Sequence, residues 1–176
     1  RKTYPSDMNE IQLKNFKNFL DQNSDTIQLL RQAAQKPSYW PDYKIQQDKY
    51  KTLMINYDID KLNLSDLRKF ACLLDIQIRY ETYTANLDQV IQDNIAMFKY
   101  SSLIQKRSFL VEQLTGIAIE GLATYSLLNT IYTNNISHSK LQSIQKQLQQ
   151  FYKDNSPFAN LLGEKAFWLD WIQKGY

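Results

Sequence analysis

Five side chains in this 176-residue chain have chemistry beyond packing: Glu120, Glu164, Lys165, His138 and Cys72. Glu120 stands inside Gly116-Ile117-Ala118-Ile119-Glu120-Gly121-Leu122-Ala123. A carboxylate in that company is costly to bury unless it is paired or has an elevated pKa. Two roles follow, a buried ion pair or hydrogen bond to another helix, and a ligand-binding or acid–base group. Glu164 and Lys165 lie in Leu162-Gly163-Glu164-Lys165-Ala166-Phe167-Trp168, on a helix that can face Glu120 across a bundle. Two carboxylates in one cavity suit a divalent metal or an amine ligand, whereas Lys165 in the same place simply neutralises Glu120. The metal is the weaker expectation, because bridging-carboxylate bundles use Glu-x-x-His pairs and this chain has one histidine. That histidine, His138, sits between Ser137 and Ser139 at an expected helix start and reads as a surface residue. Cys72, within Phe70-Ala71-Cys72-Leu73-Leu74, reads as a buried, inert thiol, and alone it forms neither an intramolecular disulfide nor a thiolate cluster.

No Gly-rich phosphate loop, HExxH, GxSxG or Asp-rich calcium loop is present. No catalytic residue, metal or cofactor is therefore assigned, and the reading leans away from an enzyme. The aromatic content, 13% with 12 Tyr, is the remaining resource. Tyr39, Trp40 and Tyr43 fall together between helical stretches. Such residues either finish a core at a helix–loop boundary or line a binding surface, since one end is apolar and the other hydrogen-bonds. The sequons at Asn63 and Asn135 are expected by chance in a chain holding 18 Gln and 13 Asn.

The elements that must carry these residues read as helices nearly throughout. A first amphipathic stretch over 7–22 turns Ile11, Phe16, Phe19 and Leu20 to one side. Ser24 or Asp25 is expected to cap a short second helix ending at Pro37. From Pro37 to Asn63 the periodicity fails, which predicts an aromatic-rich loop with a helical turn or two near 44–54. Leu67, Phe70, Ala71, Leu74 and Ile78 then mark a third helix, and Asn86 caps a fourth carrying Val90, Ile91, Ile95 and Phe98. Together they predict a tetratricopeptide-like αα-hairpin. The next helix, over 108–132, is apolar almost all round and is expected at the centre of the bundle. Gly116 and Gly121 inside it each cost about 1 kcal/mol against Ala, so a neighbouring backbone is expected to cross close by. Ser137 or Ser139 opens a Gln-faced helix, and Ser156-Pro157 opens a last one. The total is about seven antiparallel helices in one all-α domain: an N-terminal hairpin over 1–36, the loop over 37–63 and the main array over 64–176.

Bulk properties narrow the partners. A formal charge of +3 from 21 basic and 18 acidic residues is mild. The densest basic runs, Arg1-Lys2 and Lys106-Arg107, read as solvated surface, so nucleic acid is not an expected partner. With four Gly and four Pro the chain lacks the turns of a β-sandwich, and no apolar run reaches the length of a membrane span. Residue 1 is Arg rather than Met, which reads as a processed or cut-down form, so any signal peptide or membrane anchor would lie upstream of it.

Several stretches resemble a group of membrane-anchored, extracytoplasmic helical proteins of bacteria without an assigned activity. They are Leu29-Leu30-Arg31-Gln32-Ala33-Ala34 with Pro41-Asp42-Tyr43, Leu67 to Leu74, Leu110 to Leu122, and Gly163 to Asp170. The resemblance spans roughly 150 residues and departs from the group's pattern at Ala85-Asn86, where Gly-Asp is usual, and at Lys165, where Arg is usual. It implies a tetratricopeptide-like array without a regular repeat, one N-terminal membrane helix upstream of Arg1 and a periplasmic or membrane-anchored location. The combined expectation is a non-enzymatic module binding a protein or peptide partner on Tyr39, Trp40 and Tyr43. The rival is a small-molecule or catalytic pocket around Glu120, Glu164 and Lys165.

Overall fold

The ends of the helices follow from the polar residues placed there. In the computed structural model, which describes residues 9–39, 46–47, 53–54, 64–154 and the single positions 165, 169 and 172, α1 (Glu10–Gln22) opens with a capping box. The Asn9 side chain accepts from the Gln12 N–H at 2.9 Å, and the Gln12 side chain accepts from the Asn9 N–H at 3.0 Å. α2 (Ser24–Ala33) follows after one junction residue, Asn23. Ser24 lies inside the helix and does not cap it; the Asn23 amide donates back to the Phe19 carbonyl at 2.8 Å and ties the two helices.

α3 (Leu64–Tyr83) and α4 (Leu87–Gln105) are joined by a tight turn. The Asn86 N–H reaches the Glu81 carbonyl at 2.9 Å and the Ala85 N–H reaches that of Thr82 at 3.2 Å, the paired bonds of a Schellman end. This geometry holds Ala85 at φ 58°, a left-handed conformation that glycine adopts without strain. α5 (Leu110–Thr133) and α6 (His138–Asp154) complete the set. The described residues thus form six helices. Of the expected seventh, only Lys165, Leu169 and Ile172 are described, and they are helical and exposed. Where helical turns were expected near 44–54 the chain instead pairs two short strands, β1 (Gln46–Gln47) antiparallel to β2 (Leu53–Met54).

The central helix is α4, which packs against α2, α3, α5 and α6. Val90, Met97, Phe98 and Ile104 are buried along it, meeting Leu74 and Ile78 of α3 and Ile119, Ala123 and Leu127 of α5. The expectation that α5 would be the centre is overturned. One side of α5 is buried against α3 and α4, while Leu110, Val111, Leu114, Ile117 and Leu128 on the other side are exposed. Apolar composition marks a helix as able to be buried all round; the neighbours available decide whether it is. Cys72 is likewise exposed, because the buried stripe of α3 runs through Leu67, Ala71, Leu74 and Ile78 and turns Cys72 away from it.

Gly116 has the close neighbour its position predicts. A Cβ there would stand 2.7 Å from the Gln105 nitrogen and 2.8 Å from the Ser101 carbonyl oxygen, so α4 and α5 touch backbone to backbone. Gly121 has no described atom within 4 Å of that point.

Candidate functional site

Buried charge, rather than any single residue, organises this molecule. Arg31 of α2 reaches between α3 and α4. Its Nε and Nη2 donate to the two Asp93 oxygens at 2.7 and 2.6 Å, and Nη2 lies 3.4 Å from Glu81 Oε1. Gln77 donates to Glu81 at 2.6 Å and Gln89 to Asp93 at 3.1 Å. One cation therefore serves two carboxylates, of which Asp93 has the close bidentate contact. Burial pushes Glu81 up to about 7, and the neighbouring Asp93 charge adds to this. The hydrogen bonds that Arg31 donates to Asp93 raise its pKa, so Arg31 stays charged.

A second pair closes the α4–α5 junction. Arg107 and Glu112 are both buried and meet at 2.9 Å between Nη1 and Oε1. Glu112 Oε2 also accepts from the Phe109 N–H at 3.3 Å, capping α5, and Gln113 donates to the Arg107 carbonyl at 3.0 Å. The reading of Lys106-Arg107 as solvated surface is corrected here, since Arg107 is buried beside the acid that opens the next helix. The Tyr39 ring lies over its guanidinium at 4.4 Å. Tyr39 is half exposed, so it both covers this pair and contributes to the surface. Trp40 and Tyr43 lie outside the described residues.

Glu120 is only partly buried. Gln105 of α4 donates to one of its oxygens at 2.6 Å and the Tyr152 hydroxyl of α6 donates to the other at 2.8 Å, so the carboxylate clasps three helices. Burial and this bond push the Tyr152 hydroxyl up to about 12. Lys165 is exposed, and Glu164 lies outside the described residues. His138 is the first residue of α6, exposed, with its ring 3.0 Å from the Gln142 amide. Among the described residues no three His, Cys, Asp or Glu side chains gather as a metal site. No described helix is long and apolar enough to cross a membrane.

A cleft of about 330 Å³ lies between α3 and α5. Tyr83 and Tyr125 line it, with Asn129, Asn134, Thr82 and Thr133, and the Asp75–Arg79 ion pair (2.8 Å) is part of the lining. Thr82 and Thr133 give their hydroxyl protons to carbonyls of their own helices, Ile78 at 2.7 Å and Asn129 at 2.8 Å. They therefore offer acceptor lone pairs to the cleft. Sequence reasoning missed this place because its residues come from two helices about fifty positions apart. The signal available was limited to the polar residues Thr82, Ser126 and Thr130 at helix-face spacing. No family model, curated protein or solved structure matches the chain.

Proposed function

We propose that this chain is a non-enzymatic helical interaction module that holds an extended segment of a protein or peptide partner in the α3–α5 cleft. The observation that carries this reading is the lining of the cleft. Its two tyrosines supply flat, low-entropy contact area, and acceptor groups along both walls match the N–H groups of a peptide backbone. The Asp75–Arg79 pair in the lining is neutral overall, which favours polar peptide over a strongly charged ligand. The tetratricopeptide-like character of the α3–α4 hairpin and an extracytoplasmic, membrane-anchored setting belong to the same proposal; the second stands on the resemblance alone.

The aromatic surface at Tyr39, Trp40 and Tyr43 has less support as the primary contact, because Tyr39 already covers Arg107. The pocket reading around Glu120, Glu164 and Lys165 also has less, because both Glu120 oxygens are engaged by Gln105 and Tyr152. The test is selection of peptides from an unbiased displayed library on the purified chain, followed by affinity measurement. Selected peptides should lose at least about tenfold in affinity on Tyr83→Ala combined with Asn129→Ala, with the circular dichroism spectrum unchanged. Peptides that bind the double variant as well as the wild type, or no selectable peptide at all, overturn the proposal.

A further inference from the structure

The lining of the α3–α5 cleft is rich in hydrogen-bond acceptors, and its one ion pair is balanced. Asp75 and Arg79, one turn apart on α3, both belong to that lining. Oδ2 of Asp75 takes both guanidinium contacts, from Nε at 2.9 Å and from Nη2 at 2.8 Å. Oδ1 has no hydrogen bond among the described residues, although Asp75 is only 8% exposed. A buried acceptor without a donor is destabilising, and a donor carried in by a partner removes that cost. The same contact leaves Nη1 of Arg79 uncommitted among the described residues. On the other wall the α5 hydroxyls are already committed as donors. Thr130 gives its proton to the Ser126 carbonyl at 3.0 Å, as Thr133 does to that of Asn129. The Asn134 amide donates to the Thr130 carbonyl at 2.9 Å and to the Thr133 hydroxyl at 3.0 Å, which leaves its Oδ1 as an acceptor.

We infer that the group this cleft reads is a side-chain primary amide, the Gln or Asn of a peptide partner, met by Asp75 Oδ1, Arg79 and the acceptors of α5. The inference rests on the peptide-binding reading of the cleft and names what that peptide carries.

The other side-chain chemistries each leave something unmet. A Lys or Arg side chain supplies donors but brings its charge against Arg79. An Asp or Glu side chain suits Arg79 but meets Asp75 and hydroxyls whose protons are already given away. A Ser or Thr hydroxyl offers a single donor, and an apolar side chain offers none. A primary amide has two N–H donors, one carbonyl acceptor and no charge, which matches an acceptor-rich lining with one open guanidinium edge. Because the ion pair balances itself, the cleft disfavours a full charge of either sign. That discrimination is the stronger one, since a desolvated charge without a partner costs more than a lost neutral hydrogen bond.

Peptides selected on the purified chain provide the test. Those that lose affinity on Tyr83→Ala combined with Asn129→Ala should share a Gln or Asn. In calorimetry, changing that residue to Glu or to Lys should weaken binding at least about thirtyfold, and changing it to Leu at least about tenfold. These changes lie in the peptide, so the fold of the protein is untouched. Two protein variants should then invert the preference. Arg79→Met leaves Asp75 as an unbalanced negative charge, and the Lys form of the peptide should bind it more tightly than the Gln form. Asp75→Asn leaves Arg79 unbalanced, and the Glu form should bind that variant best. Cleft-dependent peptides that share no Gln or Asn, or that tolerate Glu and Lys, overturn this inference and leave the peptide reading standing. Variants with an unchanged circular dichroism spectrum and an unchanged preference overturn it as well. Peptides that bind the Tyr83 and Asn129 double variant as well as the wild type, or no selectable peptide, overturn the peptide reading and this inference with it.

Discussion

α4 and α5 are neighbours of similar length, and they invert the usual relation between composition and burial. α4 carries Asp93, Asn94, Ser101 and Ser102 on its buried surface, yet it is the central helix. α5 is the more apolar of the two, yet it shows Leu114, Ile117 and Leu128 to solvent. The difference lies in partners. Most polar groups of α4 that enter the core meet one: Asp93 meets Arg31, the Asn94 amide meets the Val90 carbonyl at 2.9 Å, and the Ser101 hydroxyl meets that of Phe98 at 2.7 Å, while Asn94 Oδ1 has no hydrogen bond among the described residues. Once paired, a polar group no longer prevents burial. An apolar side chain has no such demand, and it stays outside when none of the described elements lies over it. Burial in this protein is therefore decided by what stands opposite a residue, more than by its own hydropathy.

The buried side of that comparison should break most severely. Glu112→Ala leaves Arg107 charged and enclosed between α4 and α5, and should lower the unfolding free energy by about 3–5 kcal/mol in urea or thermal denaturation. Retaining most of the stability would show that water reaches Arg107.

Next in size is a pH effect at the α2–α3–α4 junction. Burial raises Glu81 from 4.5 in its ordinary state to about 7 in the fold, so the folded chain holds this proton more tightly than the unfolded chain does. The stability it contributes is full below about pH 4.5 and is lost as pH rises to about 7. Glu81→Gln should therefore add about 2 kcal/mol at pH 8 and flatten the stability profile between pH 5 and 7. An unchanged slope would assign the titration to another group.

The two glycines of α5 sharpen the contrast within one helix. Gly116→Ala forces a methyl group onto the α4 backbone and should cost about 1–3 kcal/mol. Gly121→Ala meets no described atom within 4 Å and should stabilise the fold by about 1 kcal/mol in thermal denaturation. Equal effects would remove the distinction between the two faces. In the turn before α4, Ala85→Gly should relieve the left-handed strain and raise stability by about 1 kcal/mol. The smallest effect belongs to Leu114→Ala, whose protomer stability should stay within about 0.5 kcal/mol of wild type.

Much of the architecture was legible before any coordinates. Of the expected stripe, Leu67, Ala71, Leu74 and Ile78 form the buried face of α3 while Phe70 is exposed, Asn86 does precede α4, and Gly116 does mark a backbone crossing. These are local statements, set by a 3.6-residue period, by capping groups and by the steric need of one position. The candidate site was legible only in fragments. Glu120 was visible as an anomaly in an apolar run, but Gln105 and Tyr152, which engage it, lie 15 and 32 residues away. Arg31, Glu81 and Asp93 each look like ordinary surface charges in their own helices. They become one network because three helices converge, with 62 residues between Arg31 and Asp93.

The sequence by itself determined that the chain is helical, where its helices begin and which residues each helix can turn to one side, because those properties depend on backbone and side-chain interactions within a few residues. The tertiary structure alone decided that α4 and not α5 is the centre, that Arg107 and Glu112 are buried, and that Cys72 and Leu114 are exposed. Those outcomes depend on which surfaces meet, and a surface in a folded chain is shared between segments whose spacing along the sequence carries no record of the contact.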